Sequence, residues 1–162
     1  KQWSVLVITK ILYYLVWLVL PMIFSDLLWW QVLLGFFVMH YTAGMILSVV
    51  FQLAHVMPNT EMPLPDQEGN MEHTWAIHQL FTTSNFAINN KLVNFYTGGL
   101  NHQVEHHIFP HISHIHYKKL SDIVRQTAKE FNLPYNEYRT MRGAFIDHFK
   151  QLSYLGKQAE IA

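Results

Sequence analysis

The residues with the clearest chemical potential lie at positions 101–107, which read Asn-His-Gln-Val-Glu-His-His. In a helix, Gln103, His106 and His107 stand at i, i+3 and i+4 and project from one face. Neutral imidazole binds iron, copper, nickel and zinc, and the amide oxygen of glutamine favours iron over metals that prefer sulfur. The chain has no cysteine, which excludes thiolate zinc sites and disulfides. The spacing therefore predicts a metal site with nitrogen and oxygen ligands.

A second ligand frame fits the same segment. His102 and His106 are spaced at i and i+4, so a His-x-x-x-His pair competes with the set that begins at Gln103. Spacing alone does not decide between the two frames. Glu105 lies inside both frames, and we expect it either to orient a ligand histidine or to face solvent.

The chain has 11 histidines, and those outside the cluster need separate interpretations. His55 ends a long apolar segment, where we expect a metal ligand rather than a polar side chain that merely reaches the interface. His40 lies roughly 22 Å earlier along a helix and is predicted to be a neutral histidine hydrogen-bonded between helices. The others are interpreted as surface or satisfied core residues (His73, His111, His148) or stay open between an orienting and a surface role (His78, His114, His116).

Two apolar segments precede the polar part of the chain. Residues 5–24 and 27–55 are each long enough to cross a membrane as a helix, because about 20 apolar residues span the hydrocarbon core. Only Ser25 and Asp26 separate them, so a tight antiparallel hairpin is expected. Lysine and arginine are concentrated at the outer ends of the hairpin, which places both ends and the polar part in the cytoplasm. Buried helices of a soluble protein are the alternative, but the chain offers too little polar surface to cover them.

The polar part is predicted to be helical. After the hairpin of residues 1–56, residues 57–71 are rich in proline and read as a surface loop, and residues 72–162 as a helical cap. Gly98 and Gly99 predict a turn or a close approach before the metal cluster. Predicted helices in the cap are residues 72–85, residues 103–107 ended by Pro110, residues 113–131 capped by Ser113, and residues 142–154. The fold class is therefore all-α: a transmembrane helix hairpin followed by a cytoplasmic helical cap.

Composition excludes several classes of function. The net charge is zero, so no basic excess points to nucleic acid. No His-Glu-x-x-His pattern occurs, which argues against a zinc protease. A membrane metal transporter or sensor with a His-rich loop stays an alternative. Transporters usually carry polar ligands within their spans, however, and these spans offer little beyond His40.

The segment from Gly98 to Pro110, Gly-Gly-Leu-Asn-His-Gln-Val-Glu-His-His-Ile-Phe-Pro, resembles the third histidine box, Gln-x-x-His-His, of membrane fatty acid desaturases. Within that family it is most similar to the front-end acyl desaturases and the bacterial linoleoyl-CoA desaturase-like proteins. Three further segments resemble the same branch: residues 51–55, 75–85 and 113–117. His102 departs from the family, which usually has an aromatic residue there, and this keeps the second frame open.

This resemblance implies an all-helical membrane enzyme that holds two iron ions with histidines from three boxes and one additional histidine. His106 and His107 correspond to ligands of the third box, and His55 to the additional ligand. Gln103 takes a position that is histidine in other desaturases. The implied reaction is O2-dependent removal of two hydrogens from an acyl chain carried on CoA or a lipid, with electrons from cytochrome b5 or a ferredoxin. A hydroxylase or ketolase of the same superfamily is the nearest alternative.

The first two histidine boxes of the family have no counterpart in this sequence, where they would precede Lys1. The resemblance therefore implies the C-terminal half of a desaturase, with the second helix hairpin and the third box. A di-iron centre needs more ligands than this segment supplies, so these residues alone are expected to be inactive.

Overall fold

A computed structural model describes residues 2–159. Most of these residues are helical, as the sequence predicted, although two short strands are also present. The chain divides into two compact units, Lys1–Leu47 and Ser48–Ala162. The first residue of the predicted hairpin and the last three of the predicted cap lie outside the described residues.

The first unit is built from two long apolar helices. Helix α1 covers Gln2–Phe24 and contains a π-helical turn at Leu15–Val19. Helix α2 covers Trp29–His55 and belongs to the first unit up to Leu47. Both are long and apolar enough to cross a membrane. The connection between them, residues 25–28, is longer than the two residues expected from the sequence.

His40 is hydrogen-bonded between these two helices, as predicted. Its Nδ1 donates to the carbonyl oxygen of Phe36 at 2.8 Å. A ring with its proton on Nδ1 has its lone pair on Nε2, and the Tyr13 hydroxyl contacts that nitrogen. The histidine therefore ties α2 to α1 without requiring a charge.

The second unit contains the end of α2 followed by shorter elements. In chain order these are α3 (Trp75–Thr82), β1 (Ser84–Phe86), α4 (Lys91–Tyr96), α5 (Gln103–Ile108), a 3-10 turn (His114–His116), α6 (Tyr117–Glu130), β2 (Asn136–Tyr138) and α7 (Met141–Ala159). The two strands pair in parallel, with Asn85 opposite Glu137. The sequence predicted neither strand, and the single helix expected over residues 72–85 is wrong at both ends.

Tertiary contacts rather than sequence pattern create strand β1. On one side it pairs with β2. On the other side the Phe86 N–H donates to the Asn101 carbonyl at 3.0 Å, and the Asn101 side-chain amide donates to the Phe86 carbonyl at 3.1 Å. The backbone leaves the helical conformation after Thr82 because these partners satisfy it in extended form. β1 thereby holds the residues that immediately precede α5.

Two clusters of buried apolar side chains form the core of the second unit. One includes Leu53 from the end of α2 and Phe86 from β1. The other joins α3, α5 and α6 through Leu80, Val104 and Val124. Full burial of such a side chain stabilises the fold by about 1.5–3 kcal/mol relative to exposure. Val104 thus anchors α5 to its neighbouring helices.

The later helices differ from the prediction at their ends. Ser113 makes no capping hydrogen bond and precedes the 3-10 turn, so the predicted cap is wrong and α6 begins at Tyr117. Asn132, with φ of 55°, follows α6 in the left-handed conformation that commonly ends a helix, as expected. α7 covers Met141–Ala159 rather than residues 142–154, because the residues beyond position 154 include good helix formers.

Candidate metal centre

Helix α5 forms where the cluster was predicted. It begins at Gln103 and ends at Ile108, two residues before Pro110. The His106 N–H donates to the His102 carbonyl at 2.9 Å, which places His102 at the N-terminal boundary of the helix. Gln103, His106 and His107 consequently share the i, i+3, i+4 arrangement that the sequence indicated.

The backbone conformation favours the glycine pair before α5, and a close approach requires glycine at Gly99. Gly98 and Gly99 have φ of 58° and 81°, a backbone region that favours glycine. A Cβ at Gly99 would lie 2.7 Å from the Cβ of His114, which is closer than two such carbons can pack. The predicted turn is confirmed, and it brings the 3-10 turn against the residues that lead into α5.

Gln103 is fully buried, yet neither its Oε1 nor its Nε2 has a hydrogen-bond partner among the described residues. A buried polar group left unpaired costs about 1–3 kcal/mol. Most such groups in folded proteins find a partner, so each exception calls for an explanation. An amide oxygen with no protein partner fits a metal ligand.

His55 and His107 meet in the second unit. Their ring centroids lie 5.0 Å apart in an edge-to-face arrangement. His55 Nδ1 donates to the Thr82 carbonyl at 3.3 Å, which leaves the lone pair on Nε2. Burial, together with the charges of His55 and His106, lowers the pKa of His107 to about 4. His107 is therefore neutral near pH 7, which is the form that binds a metal.

His106 continues the row of imidazoles. Its ring centroid lies 5.7 Å from that of His107, and its Nδ1 lies 3.3 Å from the hydroxyl of Tyr117. Tyr117 is buried at the start of α6. A histidine that binds a metal through one ring nitrogen commonly uses the other for a hydrogen bond of this kind, so the surroundings of His106 suit a ligand.

These donors fit an iron ion but do not complete its coordination. Imidazole nitrogens and an amide oxygen are donors that suit iron, and the unpaired amide of Gln103 is the feature that supports the fit. Within residues 2–159, no group of three or more His, Asp or Glu side chains is arranged to hold a metal by itself. A metal held here would need ligands beyond those that the described residues bring together.

His102, the first residue of the competing frame, has a hydrogen-bond partner that explains its burial. It is 2% exposed, and its Nδ1 lies 2.8 Å from Ser121 Oγ. Because the Ser121 hydroxyl donates to the Tyr117 carbonyl at 2.9 Å, it accepts from His102. Burial, followed by the charge of Lys118, lowers the pKa of His102 to about 4. The contrast with the unpaired Gln103 favours the frame that begins at Gln103.

Glu105 is fully buried, so of its two predicted roles the one that faces solvent is wrong. It accepts a hydrogen bond from Asn85 at 2.8 Å and another from Tyr135 at 2.9 Å. Burial raises the pKa of Glu105, and the hydrogen bonds from Tyr135 and Asn85 oppose that rise. These bonds go to residues outside the predicted ligand set. Sequence reasoning missed Asn85 and Tyr135, since neither belongs to a recognisable motif.

A pocket of about 320 Å³ opens beside His55. His78 and Thr82 of α3 line it together with Glu61 from the preceding loop. His78, whose role the sequence left open, therefore lies beside a predicted ligand. Carboxylate and imidazole groups around one pocket give it a polar wall in an otherwise apolar surrounding.

The histidines that were expected to be structural behave as predicted. His148 is buried, and its Nδ1 donates to the Val56 carbonyl at 2.8 Å. His73 stacks on Phe81 with ring centroids 4.7 Å apart. His111 is exposed, and so are His114 and His116, whose roles the sequence left open.

The described residues form a mostly helical protein with two apolar helices and a row of imidazoles beside a buried amide. Residues 1–139 match the fatty acid desaturase family. The chain belongs to that family, and the resemblance seen in the sequence is confirmed.

Individual relatives agree with this assignment. The chain is 44% identical over 128 residues to the sn-1 linoleoyl-lipid 6-desaturase of Synechocystis sp.. The aligned residues make up 78% of this chain and 36% of the relative. It is 39% identical over 113 residues to the acyl-lipid (8-3)-desaturase of Physcomitrium patens, an alignment that covers 70% of this chain and 23% of the relative. It is 32% identical over 155 residues to the probable Delta(5) fatty acid desaturase C of Dictyostelium discoideum, covering 93% and 33%.

The chain spans about a third or less of the length of these relatives. No solved structure matches it. Because the relatives are named desaturases, the alternatives of a hydroxylase, a ketolase or a metal transporter are not favoured.

Proposed function

We propose that the protein to which these residues belong is a membrane fatty acid desaturase that introduces a double bond into an acyl chain. Membership of the desaturase family supports the class of reaction. The observation within the structure that carries the proposal is Gln103, whose buried amide has no partner within residues 2–159 and lies one helical turn before His106 and His107. A histidine-rich iron centre would bind an oxygen donor of this kind beside its imidazole ligands.

The proposed ligands from this chain are His55, Gln103, His106 and His107, which would hold part of a di-iron centre. When bound, the two irons supply the oxidising power to remove two hydrogens from an unactivated acyl chain. In the balanced reaction, those two hydrogens, two further protons and two external electrons reduce one O2 to two waters. The Thr82 carbonyl orients the ring of His55 through Nδ1.

The substrate is proposed to be an acyl chain carried on a lipid, with acyl-CoA as the alternative carrier. Two of the relatives are named for linoleoyl-lipid and acyl-lipid substrates, which supports a lipid carrier. The two electrons are proposed to come from cytochrome b5 or a ferredoxin, the donors expected from the family.

The apolar helices are proposed to form a transmembrane hairpin, with both outer ends and the helical cap of residues 72–162 on the cytoplasmic side. Their surfaces support insertion into lipid, because large apolar side chains are widely exposed along both helices. Trp3 is 79% exposed, Phe24 81% and Phe37 65%. Soluble proteins rarely expose contiguous apolar surface of this kind, whereas a bilayer would cover it.

Expression of the full-length protein in a host that lacks the activity tests this function. Gas chromatography with mass spectrometry of the host's fatty acids is expected to show a chain with one additional double bond. His106→Ala and His107→Ala are expected to abolish that product, whereas His111→Ala, a change at an exposed histidine, is expected to retain it. A hydroxylated chain as the product, or a product that survives both ligand substitutions, would overturn the proposal.

A further inference from the structure

Three polar side chains from distant parts of the second unit form one hydrogen-bond network, in which Tyr135 is half-buried. Asn85 lies in β1, Glu105 in α5, and Tyr135 immediately before β2. Asn85 Nδ2 donates to Glu105 Oε2 at 2.8 Å and to the Tyr135 hydroxyl at 2.8 Å. The Tyr135 hydroxyl donates to Glu105 Oε1 at 2.9 Å. Glu105 and Asn85 are fully buried.

The hydrogens of this network are fully accounted for. Asn85 uses both amide hydrogens, and its Oδ1 accepts from the backbone N–H of Val104 at 2.9 Å. Tyr135 gives its one hydroxyl hydrogen to Glu105 and accepts one from Asn85. Each oxygen of Glu105 receives one hydrogen bond. Removal of any one member therefore leaves a buried donor or acceptor without a partner.

The network attaches α5 to the strand pair by directional bonds. Asn85 contacts α5 twice, once at the Val104 backbone and once at the Glu105 side chain. α5 has only six residues, too few for a helix to be stable or to hold an orientation by itself. The apolar contacts of Val104 favour burial but are not directional, so the hydrogen bonds fix the rotation of the helix about its axis.

A purely structural role would be served at lower cost by apolar side chains. Burial of a carboxylate carries a desolvation penalty that its hydrogen bonds only partly offset. Buried polar networks that are fully satisfied specify one arrangement of the elements that they join. The element that this network joins to the strands is the one that carries His106 and His107.

We propose that Asn85, Glu105 and Tyr135 are positioning residues: they set the rotation of α5, and thereby the direction in which His106 and His107 present their ring nitrogens to a metal. This inference rests on the proposed metal-binding function of those histidines. None of the three positioning residues binds the metal itself. They act through Val104 and Glu105 of α5, which lie within one helical turn of each ligand.

The test exchanges hydrogen-bonding groups within the network. Tyr135→Phe removes one donor, Glu105→Gln places an N–H against existing donors, and Asn85→Asp places a carboxylate against a carboxylate. Each is expected to weaken Fe(II) binding by about 10-fold or more, the range seen when groups that support metal ligands are changed. In the double variant Asn85→Asp/Glu105→Gln, the carboxylate at position 85 accepts from the amide at position 105. Its other oxygen still accepts from Val104, but the one hydroxyl hydrogen of Tyr135 then faces two acceptors, so only part of the affinity is expected to return.

Tyr138→Phe is the matched control. Like Tyr135→Phe, this variant loses one tyrosine hydroxyl. The Tyr138 hydroxyl, however, donates to Asn59 at 3.1 Å in an exposed contact outside the network. The full-length protein is measured in two ways: Fe(II) affinity by competition with a chelator, and thermal unfolding of the metal-free form. The control is expected to bind Fe(II) like the unmodified protein.

Recovery of affinity in the double variant, with intact binding in the control, supports positioning by the network. Unchanged affinity in all three single variants overturns it and leaves the metal site itself intact. Weak binding that the double variant does not recover, with equally lowered unfolding temperatures, indicates general loss of packing and also overturns it. If the unmodified protein binds no Fe(II), the proposed metal centre itself is wrong, which is a separate and distinguishable failure.

Discussion

Replacement of Gln103 by leucine is expected to stabilise the metal-free protein while removing its iron binding. A protein usually loses stability when a buried residue that serves only packing or hydrogen bonding is replaced. Gln103 differs because its amide is fully buried and has no protein partner among the described residues. Leucine removes the two unpaired polar atoms and keeps a side chain of comparable size.

The magnitude follows from two opposing contributions. Relief of the unpaired amide is worth about 1–3 kcal/mol. The branched shape of leucine in a site built for an unbranched chain costs less than about 1.5 kcal/mol. The net gain is about 1 kcal/mol, which raises the unfolding midpoint by about 2–4 °C for a protein of 150–250 residues and by less for a longer chain.

Asn101→Leu is the matched control for this prediction. Asn101 is also a fully buried amide, but its Nδ2 donates to the Phe86 carbonyl at 3.1 Å and its Oδ1 accepts from Thr97 at 3.0 Å. Its replacement leaves those partners without a hydrogen bond and is expected to lower the free energy of unfolding by about 2–3 kcal/mol. Thermal unfolding of the metal-free full-length variants, with iron content measured in parallel, compares the two. If Gln103→Leu lowers the midpoint as Asn101→Leu does, the amide of Gln103 has partners in the folded protein and is not a free metal ligand.

Three further predictions use the same full-length protein. Gln103→Ala is expected to lose iron and product, whereas His102→Phe is expected to retain both. The His102→Phe variant loses only the hydrogen bond to a serine that keeps another partner. A His102→Phe protein without iron would reverse the assignment. A cysteine in place of Gln158 is expected to react with an impermeant maleimide only after cells are opened, and labelling of intact cells would refute the cytoplasmic placement. His40→Phe removes the hydrogen bond to Tyr13, so a loss of about 0.5–1.5 kcal/mol with unchanged iron content is expected, and loss of iron would contradict its structural role.

The parts of the fold that the sequence predicts correctly depend on local signals. The lengths of α1 and α2 follow from uninterrupted apolar residues. α5 follows from the spacing of Gln103, His106 and His107 between a glycine pair and Pro110. In each case the deciding interactions lie within a few residues, where periodicity and helix-ending residues act directly.

The parts of the fold that the sequence does not predict depend on contacts between distant segments. β1 and β2 have three residues each and pair across the unit, with Asn85 opposite Glu137. Neither strand has the alternating pattern of a half-buried strand. The burial of Glu105 likewise depends on Asn85 and Tyr135, which are 20 and 30 residues away along the chain. A single sequence carries no signal that brings these three side chains together.

The metal content of the purified full-length protein tests the central claim most directly. Inductively coupled plasma mass spectrometry is expected to find about two irons per chain, since the proposed reaction uses a two-metal site. His107→Ala is expected to lower that content sharply, because its neutral, half-buried imidazole is a proposed ligand. His111→Ala, at an exposed position, is expected to leave it unchanged. Zinc at full occupancy without iron, or iron content that does not depend on His107, would contradict the account.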